Sequence, residues 1–106
     1  MTASASPTRD EIIDGLLQLK TNLQAQGIAN LAMFGSRARG DHHQESDLDL
    51  LVDVHKDRKF SLLDLLGVSH TISDRLGVSA NMFMRRSLEP DMAESIRPDI
   101  IEIFHE

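Results

Sequence analysis

A chain of 106 residues with a net charge of −6 has room for one small domain and a modest core. The negative balance argues against a broad nucleic-acid surface, and four Phe with no Trp or Tyr leave little for stacking on bases. The absence of cysteine excludes disulfides and thiolate metal sites, and no apolar run approaches the roughly 20 residues that span a membrane.

Segment 1–7 lacks a basic stretch followed by an apolar one, so it does not read as a secretory signal. It is expected to be a disordered tail before a single domain over 8–106, with the cytoplasm as the expected compartment. Thr8 is placed to cap a helix, with Glu11 completing a capping box. Ile12, Leu16, Leu19 and Leu23 recur at helical spacing, Ile13 and Leu17 widen the stripe, Lys20 falls outside it, and Gly27 is a natural stop. Leu31 to Phe34 is a short apolar run ended by Gly35 and reads as a buried strand. Residues 36–46 read as a helical turn plus loop.

Residues 48–54 make the strongest strand. Leu48, Leu50, Val52 and Val54 share one face, while Asp47, Asp49, Leu51 and Asp53 share the other. The apolar face must pack on helices, and the acidic face must meet solvent or a ligand. A polar connection, 55–59, leads to a helix whose inward stripe is read as Leu62, Leu65, Leu66, Ser69, Ile72 and Leu76. Gly67 within it costs about 1 kcal/mol relative to Ala and admits a bend; Gly77 ends it. Val78 to Met84 reads as a third strand. Pro90 opens a helix to about Arg97, Pro98 breaks it, and Ile100 to Phe104 reads as either strand or helix. The order predicts a small α/β (α+β) domain with helices on one face of the sheet and the other face partly open.

The chemistry is concentrated in Gly35-Ser36, ten residues, then Asp47-Leu48-Asp49. Carboxylates at i and i+2 of a strand point the same way and can hold a divalent cation. A Gly-Ser turn leading into a helical turn at Arg37-Ala38-Arg39 presents N–H groups and a hydroxyl to phosphate. Together these are the parts for chemistry on a nucleoside triphosphate, with Arg39 the better candidate for a phosphate contact or a brace of the loop. Alone, Asp-x-Asp is a solvated strand edge and Gly-Ser an ordinary turn; spacing and flanks make the combination specific. His42-His43 beside Asp41 read as a solvated loop rather than a zinc site. His70 reads as a surface histidine, Met82, Phe83 and Met84 as core, and Lys56, Arg58 and Lys59 as a solvated basic loop.

The run from Phe34 to Val52 resembles the signature of the minimal nucleotidyltransferase (MNT) proteins, a branch of the DNA polymerase beta-like superfamily. Ala38-Arg39-Gly40 and Ser46-Asp47 match in detail, and the element order fits from about Glu11 to Phe104. The resemblance implies a nucleotidyltransferase fold with a mixed sheet, and Mg²⁺ with ATP. It implies Gly35, Ser36 and Arg39 as nucleotide-binding residues and Asp47 and Asp49 as metal-binding and catalytic ones. It also implies an antitoxin paired with a small helical HEPN toxin, able to transfer AMP to a hydroxyl of that partner. One position departs from the pattern: family members with full sites carry a third carboxylate on the next strand, where this chain has Asn81. Asn is neutral and a poor base, and general-base help is worth roughly 10²–10⁴-fold. Asp53, Glu89 and Asp91 are the acids that could substitute. Two alternatives therefore stand beside AMP transfer: a nucleotide-binding antitoxin that acts by occlusion, and transfer to a small molecule such as an antibiotic, for which the chain lacks the usual extra domain.

Overall fold

The computed structural model describes residues 7–41, 46–57 and 59–105. The expected tail up to Ser6, His42-His43 and Arg58 lie outside them. Its elements are α1 (Arg9–Gln18), α2 (Lys20–Ala25), β1 (Ile28–Phe34), α3 (Ser36–Arg39), β2 (Leu48–Val54), α4 (Leu62–Leu76), β3 (Ala80–Met84), α5 (Pro90–Ile96) and β4 (Ile101–Phe104). Short 3₁₀ turns, Arg85–Ser87 and Arg97–Asp99, lie on either side of α5.

Local chemistry accounts for the helix starts. The Glu11 amide donates to Thr8 Oγ1 at 3.1 Å and the Thr8 amide to Glu11 Oε1 at 2.8 Å, closing the expected capping box. Ser61 and Asp64 form a second box at the start of α4. The first helix is divided, though one helix to Gly27 was expected. At Leu19 the amide is shared between the Gly15 and Leu16 carbonyls, a three-centre bond that tightens the chain before α2 begins. The stripe survives the break, since Ile12, Leu16, Leu19 and Leu23 are all buried.

The sheet order is β3-β2-β1-β4. β1 runs antiparallel to both β2 and β4, and β2 runs parallel to β3 through the α4 crossover, giving a mixed sheet. β1 starts three residues earlier than the apolar run indicated, because Ile28 pairs with Val54 across an irregularity before Asn30. Of the segment that reads as either strand or helix, Ile101–Phe104 forms strand β4, since β1 offers a second edge to it.

Helices α1, α2 and α4 cover one face of the sheet. Their apolar residues form the main core with Ile28, Leu31, Met33, Leu48, Leu50 and Val52. The opposite face is closed in part by the connection from β3 to β4, where Ile96 of α5 joins Ala32, Phe34 and Leu51. Phe34 and Phe83 meet there edge to face, with ring centroids 5.4 Å apart. Leu51, on the otherwise acidic face, is thereby a core residue.

The inward stripe of α4 needs correction. Val68 and Ile72 are buried and Leu65 and Leu76 pack on the core, but Leu62 and Leu66 face out with Leu63. Positions 65, 68, 72 and 76 follow the 3.6-residue period inward, which turns 62, 63 and 66 to solvent. α4 also runs unbroken through Gly67.

Candidate nucleotide and metal site

The site forms where β1 ends and β2 begins. Antiparallel register sets Phe34 opposite Asp49, so Gly35 emerges from β1 beside that carboxylate. Gly35 has φ +82° and ψ −161°, an extended positive-φ conformation that only glycine adopts without strain. A Cβ there would stand 2.5 Å from Asp49 Oδ2. Glycine is thus required twice, by the turn and by the closeness of the carboxylate. The chain then enters α3, a single helical turn closed by Gly40 at φ +86°.

α3 is fastened from beneath. Arg37 is 1% exposed. Its Nε donates to the Ser46 carbonyl at 2.9 Å and its Nη1 to the Pro7 carbonyl at 3.4 Å. Arg9 Nη1 of α1 donates to the Ala38 carbonyl at 3.0 Å. Arg37 therefore ties together the turn, the approach to Asp47 and the start of α1. Burial lowers its pKa from the ordinary guanidinium value, and the charge of Asp47 works in the opposite direction. Replacement of Arg37 by Met keeps the apolar stem but removes the donors to the part-buried Ser46 and Pro7 carbonyls, so it should cost about 2–4 kcal/mol. Thermal unfolding followed by circular dichroism should show a fall of ~10 °C or more; an unchanged Tm would remove Arg37 from this structural role.

Arg39 lies at the surface and is braced. Its Nε pairs with Asp41 at 3.0 Å and its Nη1 with Asp99 at 3.1 Å. Hydrogen bonds to these two carboxylates raise its pKa. The Asp99 contact links α3 to the 3₁₀ turn before β4, across the sheet face that carries Asp49. Nothing in the spacing of the sequence pointed to Asp99, or to the burial of Arg37.

Asp47 is exposed, Asp49 is half-buried, and both meet Asn81 of β3. Parallel register places Asn81 beside Asp49. Its Nδ2 donates to Asp47 Oδ2 and to Asp49 Oδ1, each at 3.2 Å. Two carboxylates and an amide thus converge from adjacent strands. The carboxylates are hard oxygen donors, suited to a hard divalent cation such as Mg²⁺ rather than to softer ions. Among the described residues no group of three or more His, Cys, Asp or Glu is placed to hold a metal. Asp53, one candidate substitute acid, is engaged elsewhere: Asn30 Nδ2 and Arg85 Nε each donate to its Oδ2 at 3.0 Å. Glu89 and Asp91 lie at the start of α5. The structure brings together Gly35, Asp47, Asp49 and Asn81, and holds Ser36 and Arg39 on the adjoining turn.

The family described as nucleotidyltransferase domain matches residues 13–103. Protein adenylyltransferase MntA of Thermococcus cleftensis is 28% identical over 97 residues, covering 91% of this chain and 96% of its own. A solved structure of a candidate minimal nucleotidyltransferase superposes with a TM-score of 0.77 at 26% identity, over 92% of this chain and 98% of that one. An MNT antitoxin, solved in complex with the tri-AMPylated HEPN toxin of Shewanella oneidensis, gives a TM-score of 0.66 at 11% identity, over 93% of this chain and 74% of that one. At that identity the likeness is one of fold.

Proposed function

Because the chain belongs to the nucleotidyltransferase domain family, we propose that it binds ATP with a divalent cation and, as an antitoxin, transfers AMP to a hydroxyl of a toxin protein. The observation that carries this reading is the convergence of Asp47 and Asp49 beside the Gly35 turn. The name of the Thermococcus cleftensis relative and the AMPylated HEPN toxin of the Shewanella oneidensis complex support the acceptor class.

Asp47 and Asp49 are the proposed ligands of the cation, with Mg²⁺ the proposed ion. When bound, it would offset charge on phosphate oxygens. The Gly35-Ser36 turn supplies amide N–H groups and the Ser36 hydroxyl to the triphosphate, and Arg39 adds positive charge beside it. In the transfer, a bond forms from the acceptor oxygen to the α-phosphorus as the bond to pyrophosphate breaks. The acceptor's proton passes to a carboxylate of the pair or to water. These residues contribute chiefly by positioning and by electrostatics.

A helical HEPN-type toxin is the proposed partner, and Leu62, Leu63 and Leu66 of α4 form an exposed apolar face that supports burial against another protein. No helix among the described residues is long and apolar enough to cross a membrane. A cytoplasmic protein built as one domain over 8–106 is the proposed organisation. Co-purification of the native protein, followed by intact mass spectrometry with ATP and Mg²⁺, tests the whole reading. The partner should gain the mass of AMP, once or more. A folded pair that gains none sinks the transferase reading.

Asn81 favours a second reading, in which the chain neutralises its partner by occlusion alone. It expects the double variant Asp47→Asn, Asp49→Asn to protect cells as well as the native protein does.

A further inference from the structure

We propose that Asn81 acts as a two-state element of the metal site: its amide N–H groups stand in for the cation when none is bound, and its carbonyl oxygen replaces them as a neutral ligand when one is. This rests on Asp47 and Asp49 being the cation's ligands, as proposed above.

Asp47, just before β2, and Asp49 within it both reach Asn81, so their like charges repel without an intervening positive group. The amide of Asn81 lies between them, 3.2 Å from an oxygen of each. Only its nitrogen end can occupy that place in the metal-free site. The oxygen end would direct lone pairs at two carboxylates, whereas the NH₂ group has a donor for each. A divalent cation held by the same carboxylates reverses the preference. It repels the NH₂ group and attracts Oδ1, and turning the amide end for end exchanges the two. Parallel pairing of Asp49 with Asn81 fixes the backbone of both residues, so the exchange needs only side-chain rotation.

A carboxylate at this position would behave oppositely in each state. It would crowd the metal-free site with a third negative charge and add a charged ligand to the loaded one. The chain thus trades cation affinity for a site that is ordered before loading.

Asn81→Asp and Asn81→Leu separate these effects. Mn²⁺, a paramagnetic substitute for Mg²⁺, is titrated without nucleotide and its free ion followed by electron paramagnetic resonance. Tm is measured in EDTA on the same proteins. Asn81→Asp is expected to bind Mn²⁺ at least tenfold more tightly than the native protein and to melt lower in EDTA, by roughly 4 °C. Asn81→Leu is expected to melt lower in EDTA and to bind Mn²⁺ more weakly. The inference is overturned if Asn81→Asp leaves Mn²⁺ affinity unchanged, or if either variant melts in EDTA at or above the native temperature. Native protein whose Mn²⁺ binding is absent, or is unchanged by Asp49→Asn, would instead overturn the metal-site reading; the EDTA melts still decide whether Asn81 bridges the carboxylates.

Discussion

Asp49→Asn should lower AMP transfer by ~10³-fold while the protein stays folded. Asp49 is the half-buried member of the carboxylate pair, set beside Gly35 and bonded to Asn81. The substitution keeps shape and removes the charge on which cation binding depends. Losing one preorganised electrostatic group in a phosphoryl- or acyl-transfer site typically costs about 10²–10³-fold, and losing a metal ligand falls at the upper end. Adding Asp47→Asn should reduce transfer little further, since the two carboxylates act as one unit. Stability should hold or rise, because a repulsion between neighbouring charges is removed. Intact-mass measurement of the AMPylated partner, with far-UV circular dichroism of the variant, checks both statements. Transfer within tenfold of native would take Asp49 out of the catalytic site.

Gly35→Ala should damage activity and stability together, and its comparison with Gly40→Ala isolates the reason. Both glycines have positive φ, +82° and +86°. Gly40 is in the αL region (ψ 9°), where an L-residue costs roughly 1–2 kcal/mol, or several degrees of Tm for a domain of this size. Gly35, at ψ −161°, lies in a region essentially reserved to glycine, so its strain is greater. At Gly40 nothing among the described residues lies within 4 Å of an added Cβ, so backbone strain is the effect expected there. At Gly35 the Cβ would lie 2.5 Å from Asp49 Oδ2, and the carboxylate has to move. Misplacing a catalytic group by about 1 Å can cost ~10²-fold. Gly35→Ala should therefore lose two orders of magnitude in transfer, while Gly40→Ala loses less than about threefold and less in Tm. Equal activities in the two variants would show that closeness to Asp49 has no catalytic consequence.

Both predictions stand on residues that spacing alone singled out. Gly35, Asp47 and Asp49 were legible because a tight turn and an alternating strand have short, rigid periods, and ten residues between them is a distinctive interval. The strand over 48–54 followed from the same alternation, whereas β1 reads from a continuous apolar run and 100–104 fits strand or helix alike. What local pattern could not carry was orientation and reach. The leucines of α4 fit two overlapping helical stripes, and only packing against the sheet and α1 chose the one through Val68 and Ile72. The sequence favours Arg39 over Arg37 for a phosphate contact or a brace but does not tell their burial: a 100° step per residue buries the first and exposes the second. Asp99 reaches Arg39 from 60 residues away, through a crossover whose path no local signal encodes. The substitution of Asn at position 81 was visible, but its bridging of both carboxylates depends on strand register.

The central position of β1 carries a consequence for the making of the protein. Its two neighbours reach it at very different times. β2 follows after one short connection, whereas β4 is reached only after residues 55–100. At synthesis rates of about 5–20 residues per second, the outer edge of β1 stays without its partner for several seconds. A bare apolar strand edge is a template for any other strand nearby. Throughout that interval β1, α3 and β2 can already be in place, while Asp99 is not yet there to meet Arg39. The yield of correctly assembled protein should therefore follow how quickly the chain is finished, more than how stable it is once complete.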